Sequence, residues 1–492
     1  MIPGQCLTLV CLTPSLIAGC ARSIRPRAGL ELAVLIVTAV LIVRTWFIQG
    51  GFVPVVVSSG SMAETLLGPH REVVCGDCDY PFVRGADVRP LSDRAVCPNC
   101  GWSENGLLDC PDLAGDRLLI HRSIFQFRPP RRWEVIAFRH PERTSDICVK
   151  RVVGLPGELI EIRDGNLFVD GRILRKDYWL QRVLAVPVYR ADCQPGRKSS
   201  PPARWKGQEK QTQWGSTDGR FAHPASSGDK GSDPARIDWL VYNHQQRVPG
   251  NRDETRGTPV RDDCGYNQTQ PRRVEDTHPV NELLLSFCLF KTFGEGLLVI
   301  RATDGREEFL VRLDPNLNRY EVLCNGRPIP AAAGKLSTGK GPTENGPMTV
   351  ELSLFDRQLL LVLDGRVKVT YPYHASDRPL EPTARPLAIG SRGLGVEIRD
   401  PCVLRDVYYT HPLGPDGRWA LDEPVRLSDD EYFVLGDNSP VSRDSRTWSV
   451  GPGVAAKLLM GKPLVVHFPA RHVQWGGWQF QVPNPGKIRY IR

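Results

Sequence analysis

Residues 55–66 read VVVSSGSMAETL. A β-branched run stops abruptly in three serines around Gly60, straight after the most apolar segment of the chain. A strand that ends this way carries short hydroxyl side chains on a tight turn. A serine hydroxyl becomes a nucleophile only when a base removes its proton. No histidine stands in a pattern that links it to Ser61; His70 and His121 are the nearest, and a Ser-His-Asp arrangement has little support.

A lysine can act as the base if burial keeps it neutral. Lys150 lies in ICVKRVV (residues 147–153), an otherwise apolar run. In a two-faced strand Cys148 and Lys150 share one face and Val149 and Arg151 the other. The alternative for Lys150 is an exposed charge on a strand edge.

Around this pair the chain reads as mainly β. Strands are expected over 52–57, 116–122, 134–138 and 147–153. A hairpin follows, 158–162 and 166–169, joined by Asp164-Gly165. Residues 281–409 show short strands at a spacing that suggests a β-sandwich: 283–291, 297–302, 308–313, 348–355, 358–363, 366–370, 396–398 and 403–410. Strands are expected again at 432–435 and 463–468, with two helical turns over 454–460. Residues 194–234, rich in Gly, Ser, Pro, Lys and Gln, read as a linker or disordered loop.

The 492 residues allow roughly three domains. Hydrophobic residues make up 41% and charged residues 24%, ordinary for a globular protein. The 42 prolines and 46 glycines favour turns and short strands over long helices. The net charge of +8 forms no dense stripe, so nucleic acid is not an expected partner.

Leu32 to Val43 is apolar apart from Thr38. It is short for a membrane span of ~20 residues, and reaches further if Arg44 snorkels and Trp46-Phe47-Ile48 sits at the boundary. Arg22, Arg25 and Arg27 precede it, which places that end in the cytoplasm and the rest outside. A cleaved signal peptide is the alternative. Residues 6–20 are a weak candidate for an earlier span.

Four of the 14 cysteines form two Cys-x-x-Cys pairs, Cys75/Cys78 and Cys97/Cys100. That is the spacing of a four-cysteine zinc site, expected to be structural because four thiolates leave no open position. Two disulfides are the alternative.

SSGSMAETL, VKRVVGLPGE and GDNSPVSRDSRTW, in this order after an apolar segment, together resemble the three signature boxes of bacterial type I signal peptidases. DRLLIHR (116–122) resembles a further strand of that family. The resemblance covers roughly 32–66, 116–172 and 431–468. It implies a membrane-anchored Ser-Lys endopeptidase that removes signal peptides from exported preproteins after small residues, Ala-x-Ala.

By that resemblance Ser61 is the nucleophile and Lys150 the general base. Ser59 joins the oxyanion hole, Ser442 orients the lysine, and Asp444 and Arg446 stiffen the late loop. Gly436, Asp437 and Asn438 form its turn. Val57, Met62, Leu66 and Val149 line substrate pockets. No cofactor is implied for catalysis. The family usually has proline where this chain has Ser58 and Glu64; a carboxylate at 64 close to Lys150 would raise the lysine pKa.

Residues 75–100 also look like paired zinc-ribbon knuckles. Residues 281–409 weakly resemble concanavalin/laminin-G-like jelly rolls, whose ligand would be a glycan or a protein. The expected organisation follows: 1–28 a cytoplasmic segment or weak first span; 29–49 a transmembrane helix; 50–72, 113–185 and 413–492 a barrel-like catalytic core; 73–112 a zinc ribbon; 186–280 a linker; 281–412 a sandwich. The expected location is the bacterial inner membrane with the catalytic part on the extracytoplasmic side. The bilayer is a partner alongside the signal peptides. A membrane-tethered binding protein that keeps the fold without the chemistry is the alternative function.

Overall fold

The computed structural model describes residues 26–45, 50–87, 93–225, 236–248, 250–268, 277–336, 346–374, 376–411, 418–475 and 478–491. The chain is mainly β. One antiparallel sheet is assembled from distant parts of the sequence, in the order Phe52–Val56, Arg117–His121, Leu459–Phe468, Val135–Arg139, Ile147–Gly154, Glu431–Leu435, Val454–Ala455. Arg489–Tyr490 adds to Leu459–Phe468. The apolar runs read from the sequence fall on these strands. The two helical turns expected over 454–460 do not form. Val454–Ala455 is a strand, Ala456–Leu458 a single tight turn, and Leu459 starts a ten-residue strand. The Val/Leu-rich stretch gains more by pairing on both sides with Arg117–His121 and Val135–Arg139 than a short, marginal helix would.

Leu159–Arg163 and Asn166–Val169 pair as the expected hairpin, with Arg163 opposite Asn166. Asp164 and Gly165 both have positive φ, 51° and 77°, the geometry that favours Asp-Gly in a two-residue hairpin turn. This hairpin extends to Arg172–Ile173 and Val425–Arg426 in a small second sheet.

Two further antiparallel sheets share one core. The first runs Gly215–Thr217, Arg220–His223, Gly395–Arg405, Leu283–Phe293, Met348–Ser353, Gln358–Leu363, Arg366–Pro372, with Val186–Arg190 also on Gly395–Arg405. The second runs Trp205–Gly207, Asp238–Tyr242, Leu387–Arg392, Leu297–Thr303, Glu308–Asp314, Arg319–Cys324, Arg327–Lys335. Leu285, Phe287, Val350 and Leu361 of the first meet Leu298, Ile300, Val311 and Ile389 of the second in one buried cluster. Glu308–Asp314 alternates buried and open positions along its length, as a strand with one solvated face does.

The segment 186–280, read as linker, is corrected here. Its described residues hold seven short strands, five of which complete the two sheets. Trp205, Trp214, Phe221, Leu240 and Tyr242 enter the shared core. These strands are three to five residues long, too short for periodicity to stand out among prolines and glycines.

The apolar N-terminal segment forms an 18-residue helix, Pro26–Val43, about 27 Å long at 1.5 Å per residue. Among the described residues no helix is long and apolar enough to cross a membrane. The transmembrane helix expected over 29–49 is therefore corrected to this shorter one, which starts among Arg27 and Glu31; residues 46–49 lie outside the described residues, as does the candidate span 6–20. Leu30, Val34, Ile36, Val37, Leu41 and Val43 on this helix are all exposed.

Candidate active site

Phe52–Val56 delivers the chain into a single tight turn, Gly60–Met62. The amide of Ala63 closes it on the Gly60 carbonyl at 3.1 Å, and Leu66 N–H bonds the Met62 carbonyl at 2.8 Å. Ser61 is half-buried, and Ser59 Oγ donates to Ser61 Oγ at 3.3 Å. The two hydroxyls are thus adjacent, as expected.

Lys150 sits in the middle of the sheet, on Ile147–Gly154, opposite Ile136. It is 4% exposed. Burial lowers its pKa below the ordinary lysine value, and Asp444 is the strongest influence in the other direction. Ser61 and Lys150 line one cleft of about 900 Å³, together with Val57, Ser59, Met62 and Val149. The cleft therefore joins a serine to a lysine whose environment favours the neutral amine.

Three of the four expected pocket residues line that cleft. Leu66 does not. It is fully buried beneath the turn with Leu118, Val135, Val466 and Ile491, because its position after the turn points it into the sheet core.

Glu64 does not line this cleft; it lines a different hollow, with Cys264, Arg405 and Tyr408. The charged groups that act on Lys150 are Asp444 first, then Arg446 and Asp437.

The late loop is held by two buried ion pairs. Asp437 accepts from Arg151 Nε and Nη2 at 2.8 and 2.7 Å. Asp444 accepts from Arg446 Nε and Nη2 at 2.8 Å each, and from the Gly436 amide at 2.9 Å. Arg446 also reaches Ser439 Oγ at 2.9 Å and the Thr410 carbonyl. Arg151, on the strand face opposite Lys150, thereby ties the lysine strand to the loop. Hydrogen bonding and the nearby guanidinium keep Asp444 below the usual carboxylate range despite burial.

Ser442 is fully buried, and its Oγ has no hydrogen-bond partner among the described residues. The hydrogen bond expected from it to the lysine is not formed. The hydroxyl is lodged against Gly436, where a Cβ would lie 2.1 Å from Ser442 Oγ and 2.4 Å from the Ser61 carbonyl. Glycine at 436 is what lets the loop press on the serine turn.

Asn438 does more than shape its own turn. Its amide donates to the Ser61 carbonyl at 3.1 Å and its Nδ2 to the Gly60 carbonyl at 2.8 Å. His140, Arg143, Asp146, Arg443 and Asp87 also line the cleft; sequence reasoning missed all five. His140 accepts the amides of Glu142 and Arg143 at Nδ1, 3.1 and 3.3 Å. Burial holds its pKa below the usual imidazole value. His140, Arg143 and Asp146 share one turn, while Asp87 and Arg443 come from distant loops, and no motif spacing links the three places.

Cys75, Cys78, Cys97 and Cys100 are buried together, with their sulfurs within 4.8 Å of one another. Cys75 and Cys100 Sγ are 3.6 Å apart and Cys78 and Cys97 Sγ 3.7 Å. A disulfide needs about 2.05 Å. A tetrahedral zinc with Zn–S near 2.3 Å places its sulfurs about 3.8 Å apart, so the four thiols fit zinc. The two pairs sit in equivalent turns. Cys75 N–H bonds the Tyr80 carbonyl and Asp79 N–H the Cys75 carbonyl, while Cys97 pairs with Trp102 and Gly101 in the same way. Asp79 and Gly101 take matching positive φ, 58° and 76°.

The cleft brings a turn-borne serine hydroxyl, Ser61, and a buried lysine, Lys150, to one surface. Comparison with known proteins shows what part of the chain is similar to. Residues 108–212 match the family described as Signal peptidase, peptidase S26. The chain is 32% identical over 79 residues to the Probable signal peptidase I-2 of Synechocystis sp. (15% of this chain, 34% of that one). It is 34% identical over 71 residues to Signal peptidase I of Leptolyngbya laminosa (13% and 34%), and 34% over 58 residues to Signal peptidase I V of Bacillus subtilis (12% and 33%). The chain spans about a third of the length of these curated relatives. The resemblance to type I signal peptidases is thus borne out. Lys150 lies inside the family match and Ser61 outside it. Among solved structures, the carbohydrate-binding module CBM66 from Bacillus subtilis covers 42% of this chain and 95% of its own at 12% identity, with a TM-score of 0.19, too slight a likeness to carry an argument.

Proposed function

We propose that this chain is a signal peptidase I-like serine endopeptidase that cuts preproteins after small residues, with Ser61 as nucleophile and Lys150 as general base. The observation that carries the reading is the shared cleft of Ser61 and a buried Lys150 whose pKa is lowered by burial. A neutral Lys150 amine takes the Ser61 proton as the hydroxyl attacks the scissile carbonyl, then gives it to the leaving amine. Ser59 Oγ, next to Ser61 Oγ, donates to the oxyanion. Val57, Met62 and Val149 make an apolar lining that suits alanine.

Zinc at the four cysteines is structural in this reading, with no role at the scissile bond. The exposed apolar side of Pro26–Val43 associates with a bilayer, near which exported preproteins arrive. The two-sheet unit is an accessory region carrying a glycan or protein ligand.

The test is cleavage, in detergent, of a preprotein bearing an Ala-x-Ala site. Ser61→Ala and Lys150→Ala are each expected to lower kcat by roughly 10³-fold or more, with circular dichroism unchanged. Cleavage by Ser61→Ala at the wild-type rate would sink the assignment. Flotation with anionic vesicles, with and without residues 26–45, tests the bilayer: loss of flotation on deletion is expected.

A further inference from the structure

The turn that presents Ser61 is gripped by segments that do not belong to its own sheet. Asp87 follows the strand Pro81–Gly85 of the cysteine-bearing region. Its Oδ2 accepts the Gly60 amide at 2.9 Å. Its Oδ1 accepts from the Tyr266 hydroxyl at 3.2 Å. Tyr266 is fully buried, and its ring lies over Gly60, where a Cβ would be 2.1 Å from Cε1. The Tyr266 carbonyl in turn accepts the Gly85 amide at 3.0 Å and Arg84 Nη1 at 3.1 Å. The next residue, Asn267, exchanges two side-chain hydrogen bonds with Asn438, 2.7 and 2.9 Å. Asn438 is the residue that holds the Gly60 and Ser61 carbonyls.

The peptide units on both sides of Gly60 are therefore fixed at the amide and at the carbonyl. Gly60 is otherwise free to take many conformations. A carboxylate acceptor makes the hydrogen bond from this amide roughly twice as strong as a neutral acceptor would, and the two asparagines hold each other in a single orientation.

We propose that Asp87, Tyr266 and Asn267 are positioning residues for the reaction at Ser61. They form a clamp through which the inserted segments set the attack geometry of the nucleophile. The proposal rests on the peptidase reading above and adds a specific dependence of its chemistry on residues far from the three signature boxes. Misplacing a nucleophile by about 1 Å costs roughly 10²-fold in rate, so releasing the clamp acts on kcat rather than on KM.

The experiment uses the full chain and the variants Asn267→Ala, Tyr266→Phe, Asp87→Ala and Asp87→Asn. Two quantities are read: amide hydrogen exchange of residues 59–62, and kcat and KM on the Ala-x-Ala preprotein. Thermal melts check the fold. Expected are faster exchange at 59–62 in Asn267→Ala and Asp87→Ala, and kcat lower by roughly 10- to 100-fold with KM within about twofold. Tyr266→Phe keeps the ring and is expected to show a smaller loss of the same kind. Asp87→Asn keeps an oxygen for the Gly60 amide and is expected to recover most of the alanine defect. Unchanged exchange in all variants would overturn the clamp. Faster exchange with unchanged kcat would overturn its role in the reaction. Faster exchange in a protein whose wild type cleaves nothing would instead overturn the peptidase reading and leave the clamp as a structural fact.

Discussion

The serine turn has two supports, and they differ in kind. On one side stands the loop 436–446, locked by Asp437 on Arg151 and Asp444 on Arg446. On the other stand Asp87, Tyr266 and Asn267, which reach Gly60 and Asn438 through hydrogen bonds and an aromatic ring. The first support is two buried ion pairs, one of them anchored through Arg151 in the strand that carries Lys150. The second joins Asp87, after the strand Pro81–Gly85, and Tyr266-Asn267 to the serine turn. The first holds the loop that presses on the Ser61 turn; the second fixes how that turn is bent at Gly60.

The contrast sets an order of effects. Asp437→Ala leaves the Arg151 guanidinium buried without its counter-ion, which is expected to cost about 3–5 kcal/mol of stability, read by chemical denaturation. If the loss is under about 1 kcal/mol, which is the range of an exposed pair, the loop is not the stronger support. Chelation of zinc at the four cysteines comes next. One zinc per chain is expected by elemental analysis, and its removal is expected to unfold the region of Cys75–Cys100. Hydrogen exchange would show this first in Pro81–Gly85, ahead of the main sheet. Gly60→Ala and Gly436→Ala then compare the supports directly. Each new Cβ meets atoms closer than 3 Å, and overpacking of this kind costs about 1–3 kcal/mol. Gly436→Ala is expected to be the worse of the two, because its nearest contacts include the Ser61 backbone, whereas the atoms nearest a Gly60 Cβ all belong to the Tyr266 side chain.

The smallest effect has the opposite sign. Lys150→Met removes a buried ionisable group and is expected to stabilise the fold at pH 7 by on the order of 1 kcal/mol while abolishing cleavage. The pH dependence follows from the direction of the Lys150 shift. Its folded pKa is lowered, so the unfolded chain binds the proton more readily. The lysine's penalty is full below the folded pKa and fades as pH rises toward the ordinary value of about 10.4. Wild-type stability should gain on Lys150→Met over that window. A constant gap between the two denaturation curves across it would show that the lysine is not buried in the way described.

Much of the first support was legible in the sequence. VVVSSGSM, ICVKRVV and GDNSPVSRDSRTW carry their own local chemistry, and Asp164-Gly165 declares its turn. Even there the reading stopped at positions: it did not find that Asp437 meets Arg151, because 286 residues separate them, nor that Ser442 turns toward Gly436. Asn325-Gly326 was an available turn signal that would have exposed the strands Arg319–Cys324 and Arg327–Lys335, yet it passed unread. The second support was not legible. Asp87, Tyr266 and Asn267 sit in stretches without periodicity, and their significance arises only when the sheets bring residues 179 and 171 positions apart into contact.

The most direct measurement is kcat/KM on an Ala-x-Ala preprotein from about pH 6 to pH 11, a window that brackets ordinary histidine and lysine ionisation, for wild type and Lys150→Ala. A wild-type rate that climbs as one group loses its proton below the ordinary lysine value, with no such limb in the variant, is the expected result. A Lys150→Ala enzyme that cuts at the wild-type rate, or a wild type fastest where the lysine is fully charged, would contradict the assignment of Lys150 as the base for Ser61.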